Sequence, residues 1–142
     1  MISTYELHIE EIIEASPKTV LDGFIDIYGK KRPAWIHRSQ LDLRVGGEWT
    51  VDFGPPDPPV FHQDRIITDY QPERRLAYNV TATYSDAPPL QTKVKIECET
   101  LGKLTRFVLT QRGFPTVERR DQFNSAWRDV LVLLKKTIEG SD

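Results

Sequence analysis

Between Phe123 and Ile138 the chain reads FNSAWRDVLVLLKKTI. Its apolar residues Phe123, Trp127, Val130, Leu131, Leu134 and Ile138 recur at steps of three and four, which places them in one stripe along an α-helix. The residues outside the stretch set its limits. Thr116 carries a hydroxyl suited to an N-cap, and Gly140 stands where a helix should stop. Glu118 near the start and Lys135 and Lys136 near the end complement the helix dipole. Together these signals predict one amphipathic helix of about five turns. A helix with a single apolar stripe has to lay it on another element.

The preceding residues supply that element as strands. Leu7, Ile9, Ile13 and Ala15 share one phase of a period-two pattern, with Glu11 interrupting it. Ser16-Pro17 then caps and starts a helix with Val20, Leu21 and Phe24 on its apolar side. Pro33-Ala34-Trp35-Ile36 is expected to open a second short helical turn. Leu43 and Val45 read as strand, running into a tight hairpin at Gly46-Gly47. Trp49, Val51 and Phe53 alternate after it. The run Pro55-Pro56-Asp57-Pro58-Pro59 breaks the pattern as a stiff loop, since proline supplies no ladder donor. Further strands are predicted from about Val60 to Tyr70, through Leu76–Ala82, through Val94–Cys98, and through Phe107–Gln111. Short turns between them make neighbours antiparallel, and the isolated first strand is expected at an edge.

The 142 residues fit one domain, spanning 1–142, large enough for a single core without staples. Nineteen basic and 21 acidic residues give a formal net charge of −2, which argues against a nucleic-acid surface. No polybasic segment is available for anionic lipid, and no apolar run approaches the ~18–20 residues of a membrane span. One cysteine, Cys98, forms no intrachain disulfide. That fits a reducing compartment, and with an N-terminus unlike a signal peptide the expected location is the cytoplasm.

Five motifs in order carry a resemblance. They are Ile13-Glu14-Ala15-Ser16-Pro17, Asp42-Leu43-Arg44-Val45-Gly46-Gly47-Glu48-Trp49, Tyr70-Gln71-Pro72-Glu73-Arg74-Arg75-Leu76, Leu109-Thr110-Gln111-Arg112-Gly113-Phe114, and Ala126-Trp127. Over nearly its whole length the chain resembles the SRPBCC superfamily, and within it the homologues of the heat-shock-protein-90 ATPase activator. The resemblance implies an α+β helix-grip (START-like) fold. In it, a curved antiparallel sheet of about seven strands wraps a long C-terminal helix, with one or two short helices after the first strand. It also implies binding of small hydrophobic or amphipathic molecules, with cyclase or hydrolase activity in some relatives and chaperone binding in a minority. Ala126 replaces the glycine usual before that tryptophan, and its methyl group is expected to move the helix outward or narrow the pocket.

Motifs for other chemistry are missing. The sequence has no phosphate-binding glycine loop and no Gly-x-Ser-x-Gly elbow. His8, His37 and His62 lie on separate elements without metal-ligand spacing, so neither a metal nor another cofactor is expected. Cys98 stands in the apolar phase of its strand and reads as core. The informative residues are polar groups on otherwise apolar phases, which must find partners or line a cavity. Glu11 is either a pocket carboxylate or a solvent-facing position at a bulge. His62 and Asp64 point the same way. They face inward if Ile66 marks the inner phase, and outward if Ile67 does. Gln111 either orients a ligand or marks a strand end emerging into water. Trp35, Trp49, Tyr78, Phe123 and Trp127 are either core or the walls of a pocket.

These residues form the candidate site. The leading expectation is a binding protein for a small hydrophobic or aromatic molecule, working as a monomer or homodimer. A cyclase or hydrolase using His62 with Asp64, or Glu11, is the second expectation, and a co-chaperone for a chaperone ATPase is the third.

Overall fold

The structure is a computed structural model that describes residues 4–29, 33–54, 61–83 and 88–140. Strand β1 (Tyr5–Ile13) leads to helix α1 (Pro17–Ile27), and six strands follow: β2 (Ile36–Leu41), β3 (Glu48–Phe53), β4 (Phe61–Gln71), β5 (Arg75–Thr83), β6 (Leu90–Leu101) and β7 (Leu104–Phe114). Helix α2 (Val117–Glu139) ends the chain's regular structure. All seven strands form one antiparallel sheet in the order β1-β7-β6-β5-β4-β3-β2. The six later strands meander, and β1 returns to the edge beside β7, as its isolation in the sequence requires. This is the α+β helix-grip architecture, with one short helix after the first strand.

Both helices start and stop where local chemistry directs. The Ser16 side chain accepts from the Thr19 amide at 3.3 Å, and Pro17 occupies the first helical position. Thr116 accepts from the Arg119 amide at 3.1 Å, and Gly140 closes α2 in the left-handed conformation. The stripe read from the sequence is the face that α2 buries. Trp127, Val130, Leu131 and Leu134 are buried, and Phe123 and Ile138 are partly so. At Gly23 the two helices approach closely. A Cβ there would lie 2.8 Å from Ile138 Cδ1 and 3.4 Å from Leu134 Cδ1, so the bare backbone lets α1 sit against the end of α2.

Two local expectations are corrected. Pro33–Ile36 forms no helical turn, because Ala34 and Trp35 make a turn and Ile36 already opens β2. Leu43 and Val45 are not strand residues. They lie in the 42–47 loop and are exposed. That loop docks on β4 by backbone bonds, Gly46 N–H to Ile67 O (2.8 Å) and Ile67 N–H to Gly47 O (3.0 Å). Gly47 is required there, since a Cβ would run into the Asp42 carbonyl oxygen. The Pro55–Pro59 loop lies outside the described residues.

Candidate ligand cavity

The alternation of β4 is the feature that builds the site. Both phases of its first half hold two polar residues and an isoleucine: His62, Asp64 and Ile66 on one side, Gln63, Arg65 and Ile67 on the other. The sheet buries the second set. Gln63, Arg65 and Ile67 are buried, whereas Asp64 and Ile66 are exposed. Their cross-strand neighbours explain the choice. Gln63 lies opposite Val51 and Ala82, Arg65 opposite Trp49 and Val80, and Ile67 opposite Tyr78. Side chains opposite one another share a face, and that face is the apolar one of β3 and β5.

Between this face and α2 lies a cavity of about 390 Å³, within the range of roughly 300–1,000 Å³ typical of small-molecule sites. Helix α2 roofs it with Phe123, Ala126, Trp127 and Val130, and Val80 and Val94 of the sheet lie beneath. At one end stand Trp35, Phe53 and Phe61. Trp35 stacks on Phe53 with centroids 6.2 Å apart, and Phe53 on Phe61 at 5.0 Å. Trp35 remains 37% exposed, as a residue at an opening does. Ala126 is exposed and borders the same space, so its methyl group occupies cavity volume.

Four polar side chains from the sheet line the cavity: Gln63, Arg65, Tyr78 and Gln111. Gln111 is committed within the protein. Its amide oxygen accepts from Trp127 Nε1 at 2.7 Å, and its amide nitrogen donates to Thr92 Oγ1 at 2.9 Å. It ties α2 to β6 and holds the indole in one orientation. Arg65 was not among the candidates from the sequence, yet it is the most unusual residue here. It is only 2% exposed. Its Cζ lies 4.4 Å from the Trp49 ring centroid, 4.7 Å from Tyr28, 4.8 Å from Tyr78 and 5.9 Å from Phe53. Gln63 Oε1 accepts from both Nε (3.0 Å) and Nη2 (2.8 Å). Nη1 and the Tyr78 hydroxyl are buried without a hydrogen-bond partner among the described residues. Burial, the largest influence on Tyr78, raises its pKa and keeps the hydroxyl protonated.

Of the residues singled out in the sequence, Trp35, Tyr78, Gln111, Phe123 and Trp127 border the cavity; Trp49, His62, Asp64 and Glu11 do not. Trp49 is fully buried one layer deeper, as the platform beneath Arg65, and donates to Ser39 Oγ at 3.2 Å. Glu11 keeps the inner phase of β1 but lies beside the C-terminal half of α2, accepting from Lys135 Nζ at 3.1 Å. His62 and Asp64 take the outer face. There His62 Nδ1 lies 2.5 Å from Asp52 Oδ1 and Nε2 lies 2.8 Å from Asp64 Oδ1. Cys98 is buried, and desolvation pushes its thiol up to about 12, so it is no nucleophile at neutral pH. Among the described residues, no three His, Cys, Asp or Glu side chains gather to hold a metal ion, and no helix is long and apolar enough to cross a membrane.

The His62 group makes stability depend on pH. The hydrogen bond that the imidazole donates to Asp52, reinforced by Asp64, outweighs desolvation and raises the imidazole pKa above its ordinary value. A raised folded-state pKa contributes stability that is complete below the unfolded value of about 6.5 and is lost as pH rises through the folded value. The imidazole is 39% exposed, and surface pairs of this kind contribute about 0–1 kcal/mol. The stability gap between wild type and His62→Gln should therefore be small at pH 6 and smaller still at pH 9. Urea titrations at both pH values measure it, and a gap that widens with pH would contradict this assignment.

Comparison with known proteins agrees with the geometry. A model of the family described as activator of Hsp90 ATPase homolog 1-like protein matches residues 14–139. No curated protein matches. Among solved structures, Mll3558 from Rhizobium loti superposes with a TM-score of 0.80 at 20% identity, covering 94% of this chain and 96% of that one. Ara h 8.0201 gives 0.80 at 9% identity, covering 98% and 100%. The Aha1 dimer from Colwellia psychrerythraea gives 0.73 at 19%, covering 95% and 96%. At these identities the structures share the fold, and the family assignment rests on the match over residues 14–139: the chain belongs to the activator of Hsp90 ATPase homolog 1-like family of the SRPBCC superfamily.

Proposed function

We propose that the protein binds a small, largely apolar molecule in the cavity beneath α2. The observation that carries this reading is the cavity itself: about 390 Å³ remains open beside a core whose aromatic rings are already packed edge to face and stacked. Aromatic and aliphatic walls supply affinity by excluding water, at about 25 cal/mol per Å² of apolar surface. The polar residues expected to catalyse a reaction, Glu11, His62 and Asp64, lie away from this space, which favours binding over turnover.

The test is a thermal-shift screen against aromatic, polyketide-like and fatty-acyl molecules, run in parallel on Ala126→Phe. That substitution fills the cavity from an exposed helix position, where the backbone has no reason to move. A ligand at about 100 times its Kd adds about 2.7 kcal/mol, which raises Tm by about 5–10 °C in a chain of this size. Wild type should respond to at least one molecule and Ala126→Phe should not. Silence of the wild type across the panel would remove the proposal. Family membership supports a second reading, stimulation of a chaperone ATPase. An unchanged Hsp90 ATPase rate on adding the purified protein would eliminate it.

A further inference from the structure

The chemical nature of the ligand follows from what the cavity leaves unsatisfied. A guanidinium is charged at every accessible pH and can only donate hydrogen bonds. Arg65 buries that charge almost completely. Among the described residues no carboxylate pairs with it. Charged side chains are almost never buried fully unless paired. The four aromatic faces and the single Gln63 oxygen offset part of the cost. They leave Nη1 without an acceptor.

The neighbouring groups among the described residues do not supply one. Gln63 Oε1 is already shared by two Arg65 nitrogens. Gln111 Oε1 is taken by Trp127. The Gly54 carbonyl faces His37 Nε2 at 2.8 Å. The hydroxyl of Tyr78, a residue that lines the same cavity, is itself unpartnered. The unmet polar capacity at Arg65 is thus a hydrogen-bond donor that carries positive charge, with the unpartnered Tyr78 hydroxyl as a second group able to donate. An apolar ligand would leave it unmet, and a neutral carbonyl would meet the hydrogen bond but not the charge. A carboxylate meets both, because a guanidinium matches its geometry and charge.

We propose that the cavity takes an amphipathic carboxylic acid: an apolar body between the sheet and α2, and a carboxylate held by Arg65 Nη1 and the Tyr78 hydroxyl. This rests on the binding function proposed above and specifies its ligand class.

Isothermal titration of matched probes separates the two. Phenylacetate, 1-naphthylacetate and octanoate are compared with their primary amides and with ethylbenzene, 1-ethylnaphthalene and octane. Wild type should bind at least one acid about tenfold or more tighter than its amide, as charged hydrogen bonds require. The preference should hold from pH 6 to pH 9, because neither the guanidinium nor a carboxylate changes charge there. Arg65→Lys keeps a charge but loses the fork, and should retain part of the preference. Tyr78→Phe should weaken the acid more than the amide, because the hydrogen bond to a charged acceptor is the stronger one. If amides or hydrocarbons bind wild type as well as the acids do, the carboxylate assignment is overturned and the cavity reading survives. If no probe of any class binds, the cavity reading fails and the assignment falls with it. Both decisive comparisons use the wild-type chain, so neither depends on a variant that folds.

Discussion

Trp127→Ala should lower the unfolding free energy by about 3–5 kcal/mol, the usual range for truncating a buried aromatic, and depress Tm by roughly 10 °C in a chain of this length. Trp127 is 6% exposed and stacks against Phe24, with centroids 6.0 Å apart and planes inclined by 27°. Truncation removes that contact and merges the vacated space with the existing cavity. It also strands the Gln111 oxygen that accepts from the indole at 2.7 Å. Trp127→Phe separates the contributions. It keeps most of the apolar volume but not the N–H, and should cost about 1–3 kcal/mol, the penalty for a buried acceptor left unmade. Urea denaturation of the three proteins measures both steps. Equal losses in the two variants would assign the whole effect to the hydrogen bond, and no loss in either would show that the indole is not part of the core.

The second large effect is a reversal of sign between two substitutions at neighbouring positions. Gln63→Leu should destabilise the protein by about 1.5–3 kcal/mol, because it removes the hydrogen-bond acceptor of a buried charge that the aromatic faces offset only in part. Adding Arg65→Met should restore the loss and exceed wild type by about 1–4 kcal/mol, as when buried charged groups are replaced by packed apolar ones. Arg65→Met alone should fall between, since it relieves desolvation but strands the Gln63 carbonyl at a cost of about 1–3 kcal/mol. The coupling between the two sites is then large and favourable, which a double-mutant cycle by urea denaturation reads directly. An additive cycle would mean that Gln63 does not stabilise the guanidinium. The stabilised double variant should also bind carboxylates no better than amides. Stability sacrificed at a ligand-contacting residue is the ordinary exchange between stability and function.

The architecture was legible because local signals agreed. The period-3.6 stripe from Phe123 to Ile138, the Thr116 and Ser16 caps, and Gly140 defined the helices. Each of these acts through bonds within a few residues, so the sequence carries it directly. The alternations of β5 and β7 were equally clear, as Leu76, Tyr78, Val80 and Ala82 are all buried, and so are Phe107, Leu109 and Gln111. Leu43 and Val45 misled because apolar type alone does not bury a residue. The 42–47 loop earns its place through backbone bonds to Ile67, a partner distant in sequence.

For the candidate site the division is sharper. Of the candidate residues that border the cavity, Tyr78, Gln111, Phe123 and Trp127 were singled out because an apolar phase or stripe marked them, and Trp35 only because it is aromatic. Glu11 broke such a phase, and its partner proved to be Lys135 at the edge of the helix rather than a ligand cavity. On β4 the sequence offered two phases of equal polarity, and nothing local chooses between them. Pairing with β3 and β5 chose, because Gln63 and Arg65 fall opposite Val51, Trp49, Val80 and Ala82. By itself the sequence determined the order of elements and the buried face of α2, both of which follow from periodicity and capping. Only the tertiary structure decided that an arginine lies inside. A buried guanidinium requires Tyr28, Trp49, Phe53 and Tyr78 to converge from separate segments, and no segment of sequence contains that convergence.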